Sequence, residues 1–122
     1  MAEPTNKIYY CPVEVALDLI SGKWKPLILV QLRHGRLGLE TISRRIPLAT
    51  RRMLVQQLRE LEADGLVRRR ELAEFPPPIE YTLTPAGRRL IPVLDQLREV
   101  GIAFARRSGV ELHELLELDE AS

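Results

Sequence analysis

Leu54, Leu58 and Leu61 recur at i, i+4 and i+7 between Thr50 and Gly65. That spacing predicts one helix with a narrow apolar stripe. Thr50 can cap its start by accepting from an early backbone N–H, and Gly65 can take the left-handed conformation that closes its end. At about 100° per residue, Arg52, Gln56 and Arg59 fall on the far side and Arg51 on the flank. The outward face of the first two turns is therefore basic and amide-bearing, with no carboxylate before Glu60.

The pattern upstream predicts three shorter helical segments. Pro12 suits the first turn of a helix whose apolar face is Val13, Ala16, Leu17 and Ile20, ended by Ser21-Gly22. Lys23-Trp24-Lys25-Pro26 opens a second helix running to Arg33. It is apolar nearly all round, which places it at the centre of the core with Trp24 as an anchor. Leu39 to Arg45 reads as a short helix turning Leu39, Ile42 and Ile46 inward. Ile46-Pro47-Leu48-Ala49 is then a tight connection, because a residue before proline is biased away from helix.

Downstream, Leu66 to Leu72 suits a strand, and Ile79-Glu80-Tyr81-Thr82-Leu83 alternates like its returning partner, with Tyr81 packing inward. Pro76, Pro77 and Pro78 between them cannot donate to a ladder and predict a stiff projecting loop. Thr84-Pro85 starts a long helix striped with Leu90, Leu94, Leu97, Gly101 and Phe104, and Pro92 should kink it. Ser108-Gly109 breaks the pattern, and Val110 to Leu118 predicts a last short helix. A helix-turn-helix followed by a hairpin is a winged helix. The expected fold is mainly α (α+β): a winged helix-turn-helix with a two-stranded β-hairpin wing and terminal dimerisation helices. Residues 1–10 are expected to form a flexible arm, 11–106 the domain, and 107–122 a C-terminal helix with an acidic tail.

Composition narrows the function. The 122 residues are 45% hydrophobic and 29% charged, enough for one modest core. The net charge of +1 is uninformative, but its distribution is not. Residues 36 to 70 hold nine Arg against four carboxylates, whereas residues 109 to 122 hold five carboxylates and no Lys or Arg. The cations are thus gathered around the 50–64 helix, as a phosphate-binding surface requires. Aromatic content of 5% argues against stacking on single-stranded bases as the main activity. No apolar run is long enough to span a membrane, and the N-terminus lacks the plan of a signal peptide. With a single cysteine, a cytoplasmic location is expected.

The chain resembles the HxlR-type transcriptional regulators, winged-helix proteins related to the MarR class. The matching residues are Cys11-Pro12-Val13-Glu14, Gly22-Lys23-Trp24-Lys25, and Leu54 with Leu58-Arg59-Glu60-Leu61-Glu62-Ala63-Asp64-Gly65-Leu66-Val67. Arg69, Pro76-Pro77, Glu80-Tyr81, Leu83-Thr84 and Gly87 continue the match in order. The resemblance implies a homodimeric bacterial DNA-binding regulator with dimer contacts from its N- and C-terminal helices. Two departures stand out. Gly38-Leu39 replaces the Arg-Phe pair that usually opens the third helix, and Pro78-Ile79 stands where the wing often carries a cation. A proline-rich tip has no cation for a narrow minor groove, so the wing should contribute less, with Arg68 or Arg70 on its strand touching phosphate instead.

Arg51, Arg52 and Gln56 are the expected groove contacts, since Arg can bind guanine and Gln adenine bidentately. Thr50 can add its hydroxyl to a phosphate at the helix N-terminus. Arg44 and Arg45 on the supporting helix should touch backbone rather than bases. Arg59 is a further contact unless it pairs with Glu60 or Glu62. Through the resemblance, Cys11 is a candidate sensor of oxidants or electrophiles, since a reactive thiol is one that is exposed at such a helix start. The alternative for Cys11 is an inert residue packed at the dimer interface. No cofactor, metal site or catalytic group is expected, because Cys11, His34 and His113 lack ligand spacing and no nucleophile–base pair is evident. The expected function is sequence-specific duplex DNA binding at a pseudo-palindromic operator, with repression as the output and a small-molecule or oxidant signal. The alternatives are a winged-helix interaction module without DNA binding, and a small-ligand-responsive regulator with no cysteine role.

Overall fold

The computed structural model describes residues 8–74 and 77–112. Five helices and three strands follow one another as α1 (Pro12–Leu19), α2 (Lys25–Gln31), β1 (Leu37–Gly38), α3 (Leu39–Arg45), α4 (Arg51–Ala63), β2 (Val67–Glu71), β3 (Ile79–Leu83) and α5 (Pro85–Ser108). A 3-10 turn, Leu32–His34, extends α2. The antiparallel sheet has the order β1-β3-β2.

The core is the inner face of the helix-turn-helix closed by the sheet. Ile28, Leu29, Leu32, Ile42, Ile46, Leu54, Leu58 and Leu61 are wholly buried, and Trp24, Tyr81 and Leu83 pack with them. α2 is central, as its all-round apolar pattern predicts. It begins two residues later than expected and buries Lys25 in its first turn.

The α4 boundaries follow from local chemistry. The Thr50 hydroxyl accepts from the Met53 N–H at 3.1 Å, which caps the helix start. At the far end Leu66 N–H donates to Leu61 O at 2.9 Å and Gly65 N–H to Glu62 O at 3.0 Å, with Gly65 at φ +77°. That pair of bonds is a Schellman closure, and it requires the left-handed backbone glycine supplies cheaply. The chain therefore turns directly from α4 into β2. α5 is seated on the same corner. Thr84 donates through its hydroxyl to Gly65 O at 2.6 Å and accepts from Gly87 N–H at 3.1 Å. A Cβ at Gly87 would lie 2.2 Å from Leu66 O, so this close approach admits only glycine.

The structure departs from the sequence-based expectation in four places. The sheet has a third strand: Leu37 and Gly38 pair with Tyr81 and Glu80, which ties the start of α3 to the wing. Gly38 thus serves as both the end of β1 and the N-cap of α3, and Leu39 behind it is buried. The expected last helix is not under way at Val110–Leu112, and its remainder lies outside the described residues. The expected apolar face of α1 is uncovered over its first two turns, with Val13 61% exposed and Leu17 51%, and only Ile20 at its end packs against the core. Finally, two residues of the expected arm make contacts to α1: Tyr9 Oη donates to Asp18 at 2.6 Å, and the Glu14 carboxylate accepts from the N–H groups of Tyr10 and Cys11.

Candidate nucleic-acid interface

The outward face of α4 carries the residues that its period predicts. Leu54, Leu58 and Leu61 anchor the helix, and Arg51, Arg52, Gln56 and Arg59 are exposed. Thr50 is exposed at its start. Arg52 and Arg59 enter no ion pair among the described residues. The Glu60 carboxylate that Arg59 could have used is held by Lys25 and Gln56 instead. Arg51 forms an exposed ion pair with Glu40 on α3. Exposed pairs of this kind are worth at most about 1 kcal/mol, so a phosphate can displace the carboxylate cheaply.

On α3 the two arginines differ. Arg44 is exposed, its guanidinium 3.3 Å from the Thr41 hydroxyl. Arg45 is half-buried and donates to the buried Gln31 Oε1 at 3.2 Å, which makes it in part a core-facing residue. On β2, Arg68 and Arg70 alternate onto the face opposite Val67 and are exposed. Their cross-strand partners are Thr82 and Glu80. Glu80 also lies 3.7 Å from Arg36 on the approach to β1. Arg69, on the other face, pairs with Glu71 at 3.2 Å. The cations thus lie on three consecutive elements of the chain: α3, α4 and β2.

Sequence reasoning missed a polar group behind this face. The Lys25 side chain is almost fully buried, and its Nζ lies 2.7 Å from Glu60 Oε1. Gln56 Nε2 donates to the other oxygen, Glu60 Oε2, at 2.8 Å. One turn earlier on the inner side, Gln57 Oε1 accepts from the Trp24 N–H at 2.9 Å. Gly22 leaves room for this contact, since a Cβ there would stand 3.0 Å from Gln57 Oε1. The Lys25 ammonium first, and the Gln56 amide after it, hold the Glu60 carboxyl below its ordinary pKa. Nothing local in the sequence sets Lys25 apart from Lys23, and its partner lies 35 positions away.

The second cluster of interest lies on the terminal helices. Cys11 is exposed at the N-cap of α1. Val93, Leu97, Val100 and Phe104 share one side of α5 and are all exposed, Phe104 at 54%. α5 is nonetheless fastened to the core by Leu94 and by a bidentate contact from Arg33 to Asp95, at 3.0 and 2.8 Å. That guanidinium holds the Asp95 carboxyl below its ordinary pKa.

A basic helix capped by Thr50, a tight turn before it and a strand pair after it define a winged helix-turn-helix regulator of transcription. The chain belongs to the HxlR-like helix-turn-helix family, whose profile matches residues 19–108. An HTH-type transcriptional regulator of Methanothermobacter thermautotrophicus is 52% identical over 93 residues, 76% of this chain and 71% of that one. Among solved structures, the redox regulator HypR in its reduced form is similar with a TM-score of 0.74 and 44% identity, covering 79% of this chain and 94% of that one. The reduced form of the regulator YodB from Bacillus subtilis is similar with a TM-score of 0.66 and 34% identity, covering 80% and 92%. YodB is also known diamide-treated and quinone-bound. These relatives are regulators rather than enzymes. Among the described residues no helix is long and apolar enough to cross a membrane, and no three His, Cys, Asp or Glu gather as a metal site would need.

Proposed function

We propose that this protein is a homodimeric repressor that binds a pseudo-palindromic duplex DNA operator through α4 and responds to oxidants or electrophiles through Cys11. The observation that carries the reading is the exposed basic face of α4, with Arg52 and Arg59 unpaired among the described residues and Arg68 and Arg70 on the adjoining strand. Arg51, Arg52 and Gln56 enter the major groove. Thr50, Arg44, Arg68 and Arg70 hold phosphates, and Arg45 adds a phosphate contact from its half-buried position. Two such helices related by a two-fold axis span half-sites about 34–36 Å apart.

The dimer reading rests on the exposed apolar stripe of α5 and the uncovered face of α1. A stripe of this kind on helices fastened to a core marks an interface. Cys11 stands at the edge of that face. The redox regulator HypR and the quinone-bound YodB support an oxidant or electrophile signal, and a modification of Cys11 at the start of α1 would change how two copies sit together.

The test is binding of the full-length protein to a fluorescent library of upstream fragments from its own genome, at two salt concentrations, with and without diamide. Selective, salt-sensitive binding to a palindromic site, lost with diamide and spared in Cys11→Ser, is the expected result. Binding that ignores diamide removes the cysteine role. No selective binding at either salt leaves a protein-interaction module.

A further inference from the structure

Glu60 is the first carboxylate on α4, and it stands on the turn behind Gln56. A carboxylate here would normally repel phosphate. Lys25 removes that problem: its ammonium, buried at 6% side-chain exposure, sits 2.7 Å from Glu60 Oε1 and neutralises it from the core side. The other oxygen accepts from Gln56 Nε2 at 2.8 Å. Lys25, Glu60 and Gln56 therefore form a chain of contacts from the core to the exposed face of the helix.

The chemistry of that chain fixes the direction of the Gln56 amide. An ionised carboxylate has no hydrogen to donate, so it must face the amide nitrogen and never the amide oxygen. Gln56 is left with Oε1 and one N–H to offer outward. Adenine presents an N6 amino donor beside the N7 acceptor in the major groove, and so satisfies both. Guanine presents N7 and O6, two acceptors, and would set O6 against the Gln56 oxygen. An unrestrained glutamine could instead turn its whole NH2 group to guanine.

We propose that Glu60, held in place by Lys25, is a specificity-determining positioning residue that locks the Gln56 amide into the orientation that reads adenine and rejects guanine. The proposal rests on α4 reading duplex DNA, as argued above. Lys25 and Glu60 do not touch DNA in this account; they act only through Gln56.

The test selects duplexes from a randomised library with the full-length protein. Affinities are then measured on duplexes varied at one base pair at a time. The wild type should show one position per half-site where adenine is preferred to guanine by about tenfold or more. Gln56→Ala should lose that preference and keep the others. Glu60→Gln should invert it: the Lys25 ammonium, which can only donate, takes the new amide oxygen, and the new amide nitrogen then turns the Gln56 oxygen inward. Guanine should gain about tenfold relative to adenine. In the double variant Lys25→Met/Glu60→Leu the ion pair is gone and the amide is free, so the two bases should become nearly equal. This variant keeps the test open if Glu60→Gln does not fold, since replacing both partners leaves no charge unpaired at the buried Lys25 position. A merely structural role for Glu60 would change overall affinity or folding without changing base preference.

Three outcomes overturn the proposal at different levels. If the wild type selects no sequence, the reading of the protein as a DNA-binding regulator fails first. If Gln56→Ala keeps every preference, Gln56 reads no base. If Gln56→Ala loses one preference but neither Glu60 variant shifts it, the lock itself is wrong while the regulator reading stands.

Discussion

α4 and α5 are both fastened to the same core, yet they present opposite chemistry to the outside. α4 buries its leucines completely and exposes arginines, a glutamine and a threonine cap. α5 fastens itself through Leu94 and Asp95, then exposes Val93, Leu97, Val100 and Phe104. The leucines of α4 spend their apolar surface within the subunit, which leaves a polar face for a polyanion. α5 keeps much of its apolar surface uncovered, which suits a second copy of the chain. The two helices meet the corner at Gly65 and Thr84, so their relative position is set by backbone contacts rather than by long side chains.

The most damaging change to this arrangement should be Leu58→Ala. Leu58 is fully buried beneath the α4 face, and the truncation should cost about 2–5 kcal/mol, read as a lower urea midpoint with an unchanged m-value. Both surfaces would be lost together. Leu97→Glu with Phe104→Glu should instead separate them. The exposed stripe would be charged while the subunit core stays intact, so analytical ultracentrifugation should show monomers with wild-type circular dichroism. Operator affinity should then fall by an order of magnitude or more through loss of the second half-site.

Smaller effects sharpen the contrast further. Thr50→Ala removes the cap of α4 and should cost about 1 kcal/mol in chemical denaturation, with little effect on the monomer–dimer equilibrium. The smallest effect should be electrostatic. The folded pKa of Asp95 is depressed by Arg33, so its contribution is fully present above the unfolded value of about 3.9 and is lost as pH falls through the lower folded value. Asp95 is too exposed for this contribution to be large. In Asp95→Asn, urea midpoints at pH 7 and pH 3 should differ slightly less than in the wild type.

Much of this was legible in the sequence because it is written locally. The caps at Thr50 and Gly65, the leucine period of α4 and the alternation of β3 all lie within a few residues of what they determine. The features that escaped depend on distant partners. β1 is only Leu37 and Gly38, too short to show a period, and exists because Tyr81 and Glu80 lie beside it. Lys25 reads as an ordinary first-turn cation until α4 brings Glu60 to it. Arg45 reads as a surface cation of the supporting helix, and only its spatial neighbour Gln31 shows that the guanidinium lies partly inward. Arg51 reads as a free cation on the α4 flank, yet it meets Glu40 across the helix-turn-helix. The exposure of Arg52, Arg59, Arg68 and Arg70 follows from the helix and strand periods alone.

The central claim is that α4 carries the affinity for duplex DNA. Fluorescence anisotropy on a selected duplex, over a series of salt concentrations, tests it most directly when the wild type is set against Arg51→Ala/Arg52→Ala. Affinity should fall by tenfold or more in the double variant. The loss should be largest on the selected duplex and smaller on an unrelated one, because these two side chains are assigned to base edges. Folding and oligomeric state should not change. Unchanged affinity at every salt concentration in a folded double variant would contradict the account and remove α4 from the DNA-binding surface.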